Sequence, residues 1–264
     1  DSFNTQFYAH LMAGKPQTVI ETDGHAGDAG TKTRLEVFLH CVGEDRQRGD
    51  ADRTPPPSRI DGGHSRLSEV RARDETVLIS YMGPATEAFA ASLCAIGLRA
   101  RNLGKPDRGA LELGRRHTSG KECVPLCVTL GALLQFLQSQ RESDERFAFF
   151  MPTSTGPCRL GDYNILQTIL LERLGWAERV RIWSPADSGY FEGAPRGVPA
   201  LVLAGVAAAD ALLAALHDVR PVEVRSGAAH ACYDQHHQQL LRRLEAVDGR
   251  SLTLAGALME VATG

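Results

Sequence analysis

Six cysteines, Cys41, Cys94, Cys123, Cys127, Cys158 and Cys232, are the side chains in this sequence best suited to redox or metal chemistry. The thiolate is the nucleophile and the metal ligand, and helix N-termini and neighbouring cations favour it. Two of the six meet both conditions. Cys123 lies in GKECVP, two residues after Lys121 and at the start of an apolar helical pattern. Cys158 lies in GPCRLGDYN, beside Arg159 and ahead of a second periodic stretch. Glycine and proline around each allow close approach to a bulky inorganic group, and backbone N–H groups there can donate to cluster sulfides. The spacing is not that of a metal-binding CxxC pair, because the two loops stand 35 residues apart. Ordinary buried thiols are therefore the competing reading. Cys127 follows Cys123 by one helical turn and can be a third ligand or a packing residue of the apolar run VPLCVTLG. Cys94, within AASLCAIGL, reads as helix core, and Cys41 and Cys232 read as structural or unreactive thiols.

Two weaker constellations involve histidine. The stretch HACYDQHHQQ (230–239) offers His230, His236 and His237 with Cys232 and Asp234, and His230 with Asp234 or His237 has the spacing of a zinc-binding helix face. A solvated polar helix face accounts for the same residues. His25 stands with Asp23 and Asp28 in the N-terminal loop, where an Asx-type turn explains the aspartates equally well. There is no GxxxxGK[ST] loop, no GxGxxG after a strand and no GxSxG, so the common nucleotide-binding and serine-hydrolase signatures are missing.

The elements that must position the two loops are legible from residue 76 onward, where short apolar runs alternate with amphipathic stretches in the manner of an α/β protein. Strands are expected at TVLISYM (76–82), LRARNL (98–103), RFAFFMP (146–152) and RVRIWSP (179–185). Helices are expected at 86–98, 123–138, 162–176, 198–219 and 229–247, with Pro125 tolerated in a first turn. In a doubly wound parallel sheet the loops at the carboxyl edge form the site, which is where Cys123 and Cys158 fall.

The chain has 264 residues, 43% hydrophobic and 23% charged, with a formal net charge of −3, a composition that suits a globular protein and not a nucleic-acid binder. Its most apolar run, ALVLAGVAAADALLAAL (200–216), is interrupted by Gly205 and Asp210 and falls short of the 18 or so residues of a membrane span, so no membrane crossing is expected. The first 42 residues read as the tail of a preceding region, with a short helix at 31–43 carrying Leu35, Val37, Phe38 and Leu39. Residues 43–75 are dense in charge, glycine and proline and read as a solvated linker, leaving 76–264 as the α/β body. A chain that opens on aspartate is expected to be a piece of something longer. With no secretory signal in view, a cytoplasmic setting and reduced thiols are expected.

Three segments, GRRHTSGKECVPLCVTLGALL (114–134), FFMPTSTGPCRLGDYN (149–164) and TDGHAGDAGTKTRLEVFL (22–39), together resemble one family. They look like the domain of unknown function in the large CoA-enzyme-activase-like proteins related to the activator of 2-hydroxyacyl-CoA dehydratases. The resemblance runs from about residue 20 to about 245 and is most specific in the two cysteine segments. It implies Rossmann-like (flavodoxin-like) parallel-sheet subdomains and a [4Fe–4S] cluster held by loop cysteines. It also implies electron transfer, or reduction of a small, acyl-CoA-type substrate, after an ATP-driven activator has delivered the electron. Cys123 and Cys158 are then cluster ligands, completed by Cys127, by a cysteine outside this sequence or by one from a partner chain. ATPase activator modules of the same or a partner protein are the implied partners, and a homodimer is a candidate assembly. The phosphate-binding loops of the activator are not evident, so this stretch is not expected to hydrolyse ATP. Asp162 stands where family members commonly have glutamine, and Gly24 where a glutamate commonly follows the aspartate. The competing functional reading is a non-catalytic interaction domain that docks ATPase modules; a zinc hydrolase built on the His-rich helix is a distant third.

Overall fold

The computed structural model describes residues 2–20, 28–48, 66–120, 122–153, 158–185 and 191–248. The chain divides into two units, Asp1–Asp61 and Gly62–Gly264. The first contains helices α1 (Ser2–Leu11) and α2 (Asp28–Arg48). His10 is buried at the end of α1, and the Gln17 side chain donates to the Ala9 carbonyl (3.2 Å), folding the following turn back onto that helix. On α2 the apolar Leu35, Val37 and Leu39 are exposed. Asp23 and His25 lie outside the described residues, and Asp28 begins α2.

The second unit follows the α/β order expected from the alternating pattern: α3 (Leu67–Ala72), β1 (Thr76–Ile79), α4 (Pro84–Ala95), β2 (Ala100–Asn102), α5 (Arg108–Arg116), α6 (Val124–Ser139), β3 (Phe147–Phe150), α7 (Tyr163–Arg173), β4 (Val180–Trp183), α8 (Val198–Val219) and α9 (Ala228–Ala246). The four strands form one parallel sheet in the order β2-β1-β3-β4, with Val77 opposite Ala100 and Ala148, and Phe149 opposite Ile182. This is the doubly wound, Rossmann-like arrangement.

Both faces of the sheet are covered, which is why β1 and β3 are buried along nearly their whole length, whereas the edge strand β2 is half exposed. On one face Val77, Ile79, Ala148 and Trp183 pack with Leu67 and Val70 of α3 and with Ala90 and Leu93 of α4. Behind α4 a second layer joins Ala88, Ala91 and Ala95 to Leu201 and Ala209 of α8 and Leu244 of α9. On the other face Phe147 meets Phe136 of α6 edge to face, with ring centroids 5.3 Å apart.

One boundary differs from the sequence expectation. The linker expected over 43–75 is narrower, because α2 continues to Arg48 and α3 belongs to the body. Leu67 and Val70, three residues apart, supply enough apolar surface to fold that stretch onto the core despite its charged neighbours. Helix α8 spans the expected 198–219 without a break, although the sequence places its apolar run short of a membrane span. With the turn after it, Val198–Val222 is long and apolar enough to cross a membrane (mean hydropathy 2.0), and 22% of its apolar window is buried. Gly205 does not interrupt it; a Cβ there would press on the Leu244 side chain, so the glycine permits close packing on α9.

Candidate functional site

The crevice of a doubly wound sheet opens where neighbouring strands send their chains in opposite directions. Here those strands are β1, which leads through α4 to β2, and β3, which leads through α7 to β4. Right-handed crossovers place α4 and α7 on opposite faces, so the loops after β1 and β3 diverge at the carboxyl edge. Both candidate loops reach this edge, because α6 and α7 each start there.

Cys123 is the N-cap residue of α6, with Pro125 in the first turn as the sequence predicts. Its approach is set by residues 117–120 and by Glu122. Gly120 adopts a φ of +86°, which a side chain would strain. The Glu122 carboxylate accepts from the Ser119 backbone N–H and hydroxyl, both at 2.9 Å. Cys158 is the N-cap residue of a short 3-10 turn, Arg159–Asp162, that runs straight into α7. Thr153, just past β3, donates to the Gly161 carbonyl (2.9 Å) and ties that turn to the sheet.

Tyr163, the first residue of α7, joins the two loops. Its hydroxyl lies 2.6 Å from the Cys123 sulfur, although the tyrosine is only 4% exposed. Burial, then the hydrogen bond to Cys123, then the charges of the two thiols hold the Tyr163 hydroxyl above the ordinary phenol range, with Arg159 opposing them. Cys123 is half-buried and Cys158 exposed, so both sulfurs are accessible at the edge to different degrees.

Cys127 occupies a different place. It is buried, with its sulfur 3.6 Å from the Thr118 hydroxyl at the end of α5. Helices α5 and α6 cross almost backbone to backbone here: a Cβ on Gly114 would fall on the Cys127 carbonyl oxygen, and one on Gly131 on that of Ala110. A small side chain at 127 suits that crossing. Among the described residues no group of three His, Cys, Asp or Glu side chains converges, so Cys123, Cys127 and Cys158 do not form a trio.

The remaining candidates are dispersed. Cys94 is half-buried on α4, its thiol donating to the Ala100 carbonyl (3.6 Å) and pushed up by burial. Cys41 on α2 and Cys232 on α9 are exposed. His236 donates from Nδ1 to the Cys232 carbonyl of its own helix (2.8 Å), and His230 and Asp234 are exposed. His237 turns inward instead. It is buried, its ring stacked on Tyr233 (5.4 Å, 7°), and its Nε2 is 3.8 Å from the Glu87 carboxylate in the first turn of α4. The Tyr233 hydroxyl is pushed up to about 12 by burial and by Tyr81, Glu87 and Asp234.

Sequence reasoning missed Tyr163 and the His237–Glu87 contact. The tyrosine had a local signal, lying five residues after Cys158 at the head of a periodic helix. The second contact joins residues 150 positions apart and has none. No family model, curated protein or solved structure matches the chain.

Proposed function

We propose that this chain is an iron–sulfur-binding, redox-related domain of a 2-hydroxyacyl-CoA dehydratase or activator-related protein, serving electron transfer or the reduction of a small, acyl-CoA-type substrate. The observation that carries the reading is the contact of Tyr163, five residues after Cys158, with the Cys123 sulfur, which brings two cysteine loops 35 residues apart in sequence to the same carboxyl edge of a doubly wound sheet. Thiols at helix starts, one half-buried and one exposed, suit an inorganic cluster that must exchange electrons with a partner.

The donor set fits part of a [4Fe–4S] cluster, which takes four ligands. Cys123 and Cys158 would hold two positions. Cys127 keeps its sulfur against Thr118, so the others fall to a cysteine outside this sequence or to a partner chain. Once bound, the cluster supplies one-electron chemistry. The chain's own residues orient it: the α6 N-terminus presents backbone N–H groups beside Cys123, Tyr163 bonds the Cys123 sulfur, and Arg159 places a cation beside Cys158. ATPase activator modules, in the same or a partner protein, are the electron donors in this reading.

The test is anaerobic reconstitution of the full chain with ferrous iron and sulfide. Broad visible sulfide-to-iron absorption that Cys158→Ala diminishes is the expected result. A colourless product with an unchanged thiol titre overturns the reading.

A second reading, a non-catalytic docking domain for ATPase modules, is favoured by α8. Leu203 is 70% exposed, Val219 and Val222 are exposed beyond it, and an apolar groove of about 350 Å³ runs between α8 and α9 past Leu212 and Leu240. Binding of such modules by a Cys123→Ala, Cys158→Ala double variant that takes up no iron would decide for it.

A further inference from the structure

We propose that Tyr163 is a positioning residue that makes the two thiols unequal: its hydroxyl fixes Cys123 as the anchored sulfur and leaves Cys158 as the exchangeable one. The inference rests on the same edge site as the function proposed above, but concerns the thiols themselves and holds with or without a cluster.

The geometry begins with Tyr163 itself. Its ring is 4% exposed and its backbone is the first turn of α7, so the hydroxyl cannot swing to solvent without opening the packing around that helix. The Cys123 sulfur at 2.6 Å is consequently held in one rotamer by a partner that does not move. A thiolate or a metal-bound sulfur has no proton to give, so in either state Tyr163 is the donor. Burial of the tyrosine keeps the hydroxyl directed at that sulfur and away from solvent. A hydrogen bond to sulfur withdraws electron density from it, which slows its attack on electrophiles and, when it is a cluster ligand, raises the reduction potential.

Cys158 has the opposite setting. It is exposed, it caps a four-residue 3-10 turn and not a long helix, and a cation follows it in sequence. Its sulfur meets solvent, oxidants and incoming ligands first. The division of labour follows: Cys123 stays on a bound group, and Cys158 is the position at which another ligand, a substrate thiolate or a partner's cysteine can enter.

The test uses the full chain, iron-free and anaerobic, with iodoacetamide at one mildly alkaline pH. Each thiolate forms its S–C bond as iodide leaves, and mass spectrometry of the cysteine peptides gives separate rates. The native protein should label Cys158 at least about tenfold faster than Cys123. Tyr163→Phe keeps the ring and should accelerate Cys123 roughly five- to tenfold, the factor one net hydrogen bond supplies, with Cys158 unchanged. Equal rates in the native protein, or a Cys123 rate indifferent to Tyr163→Phe, overturns the proposal. If Tyr163→Phe does not fold, the native protein decides alone: Cys158 must label at least about tenfold faster than Cys123, and equal rates reject the assignment. In cluster-loaded protein Tyr163→Phe should lower the reduction potential. Failure to take up iron with the two unequal rates intact would count against the cluster and leave this assignment standing; uptake of iron with equal rates would do the reverse.

Discussion

The two edges of the sheet are built on different terms. At the amino edge polar groups are tied to one another across strands. Thr76 donates to Glu145 (2.5 Å) and accepts from Arg99 Nε (3.2 Å), which also pairs with the Asp74 carboxylate (3.1 Å). Arg179 reaches the Gln140 and Glu145 carbonyls at 3.0 and 3.3 Å. At the carboxyl edge the Ser80 and Ser184 hydroxyls, just past β1 and β4, are buried without a hydrogen-bond partner among the described residues, as is the Gln167 amide one turn along α7 from Tyr163. Native interiors rarely leave such groups unsatisfied without a functional reason or an ordered water. The contrast is one of degree: the amino edge is tied strand to strand, while the carboxyl edge, tied at Thr153 and Tyr163, also holds buried polar groups with no partner among the described residues.

The largest effect that would sharpen this contrast is on metal uptake. Cys123→Ser with Cys158→Ser should remove nearly all iron bound on anaerobic reconstitution, while Arg179→Ala at the opposite edge should leave iron stoichiometry intact. Equal loss in both, at equal folded content, breaks the division between the edges.

Next in size is the crossing beneath Cys123. Gly131→Val drives a side chain into the Ala110 carbonyl and should cost about 3 kcal/mol or prevent folding, as overpacking against backbone does. Thermal unfolding measures it; a variant as stable as the native chain would refute the close α5–α6 approach. Arg179→Ala should cost about 1–3 kcal/mol, because two carbonyls lose their donor.

The smallest effects concern single groups. Glu75, buried at the foot of β1, is held above the ordinary carboxylate range chiefly by burial, with Arg181, Arg73 and Arg146 opposing. A carboxyl raised on folding binds its proton more tightly in the native state, so its ionisation costs stability as pH rises through the folded value. Glu75→Gln should therefore raise the melting temperature at neutral pH, the gain fading as pH falls below the usual glutamate range. A gain that instead grows on acidification would reverse the sign. Ser184→Ala should change stability by less than about 1 kcal/mol, because its hydroxyl has no protein partner to lose. A larger loss would show that the carboxyl edge is as tied as the amino edge.

The strand and helix order was legible because β1, β3 and β4 are short, mostly apolar runs and most helices carry large apolar stripes; β2, an edge strand (Ala100–Asn102), follows from the alternating order alone. Helix α5 escaped notice for a physical reason: its buried residues are Ala110 and Gly114, which fit the backbone contact with α6 but give no hydrophobic period. The same crossing explains Cys127, whose place is set by a neighbour 13 residues upstream. Helix α8 is legible over 198–219; only its apolar run reads as broken at Gly205 and Asp210, yet glycine there serves contact with Leu244 and the aspartate is exposed. Of the candidate site, the two cysteine loops could be read from helix-start chemistry. Tyr163 as their link, and His237 turned to Glu87, depend on tertiary placement that local patterns do not carry.

The central claim, that Cys123 and Cys158 hold one iron–sulfur group at the carboxyl edge, is tested most directly by iron and acid-labile sulfide content after anaerobic reconstitution. Five proteins serve: the native chain, Cys123→Ser, Cys158→Ser, and the controls Cys94→Ser and Cys232→Ser. Iron and sulfide bound in equal amounts by the native chain and both controls, and lost together in each of the first two variants, is the predicted result. Retention in Cys123→Ser and Cys158→Ser, or equal loss in all four variants, would contradict it.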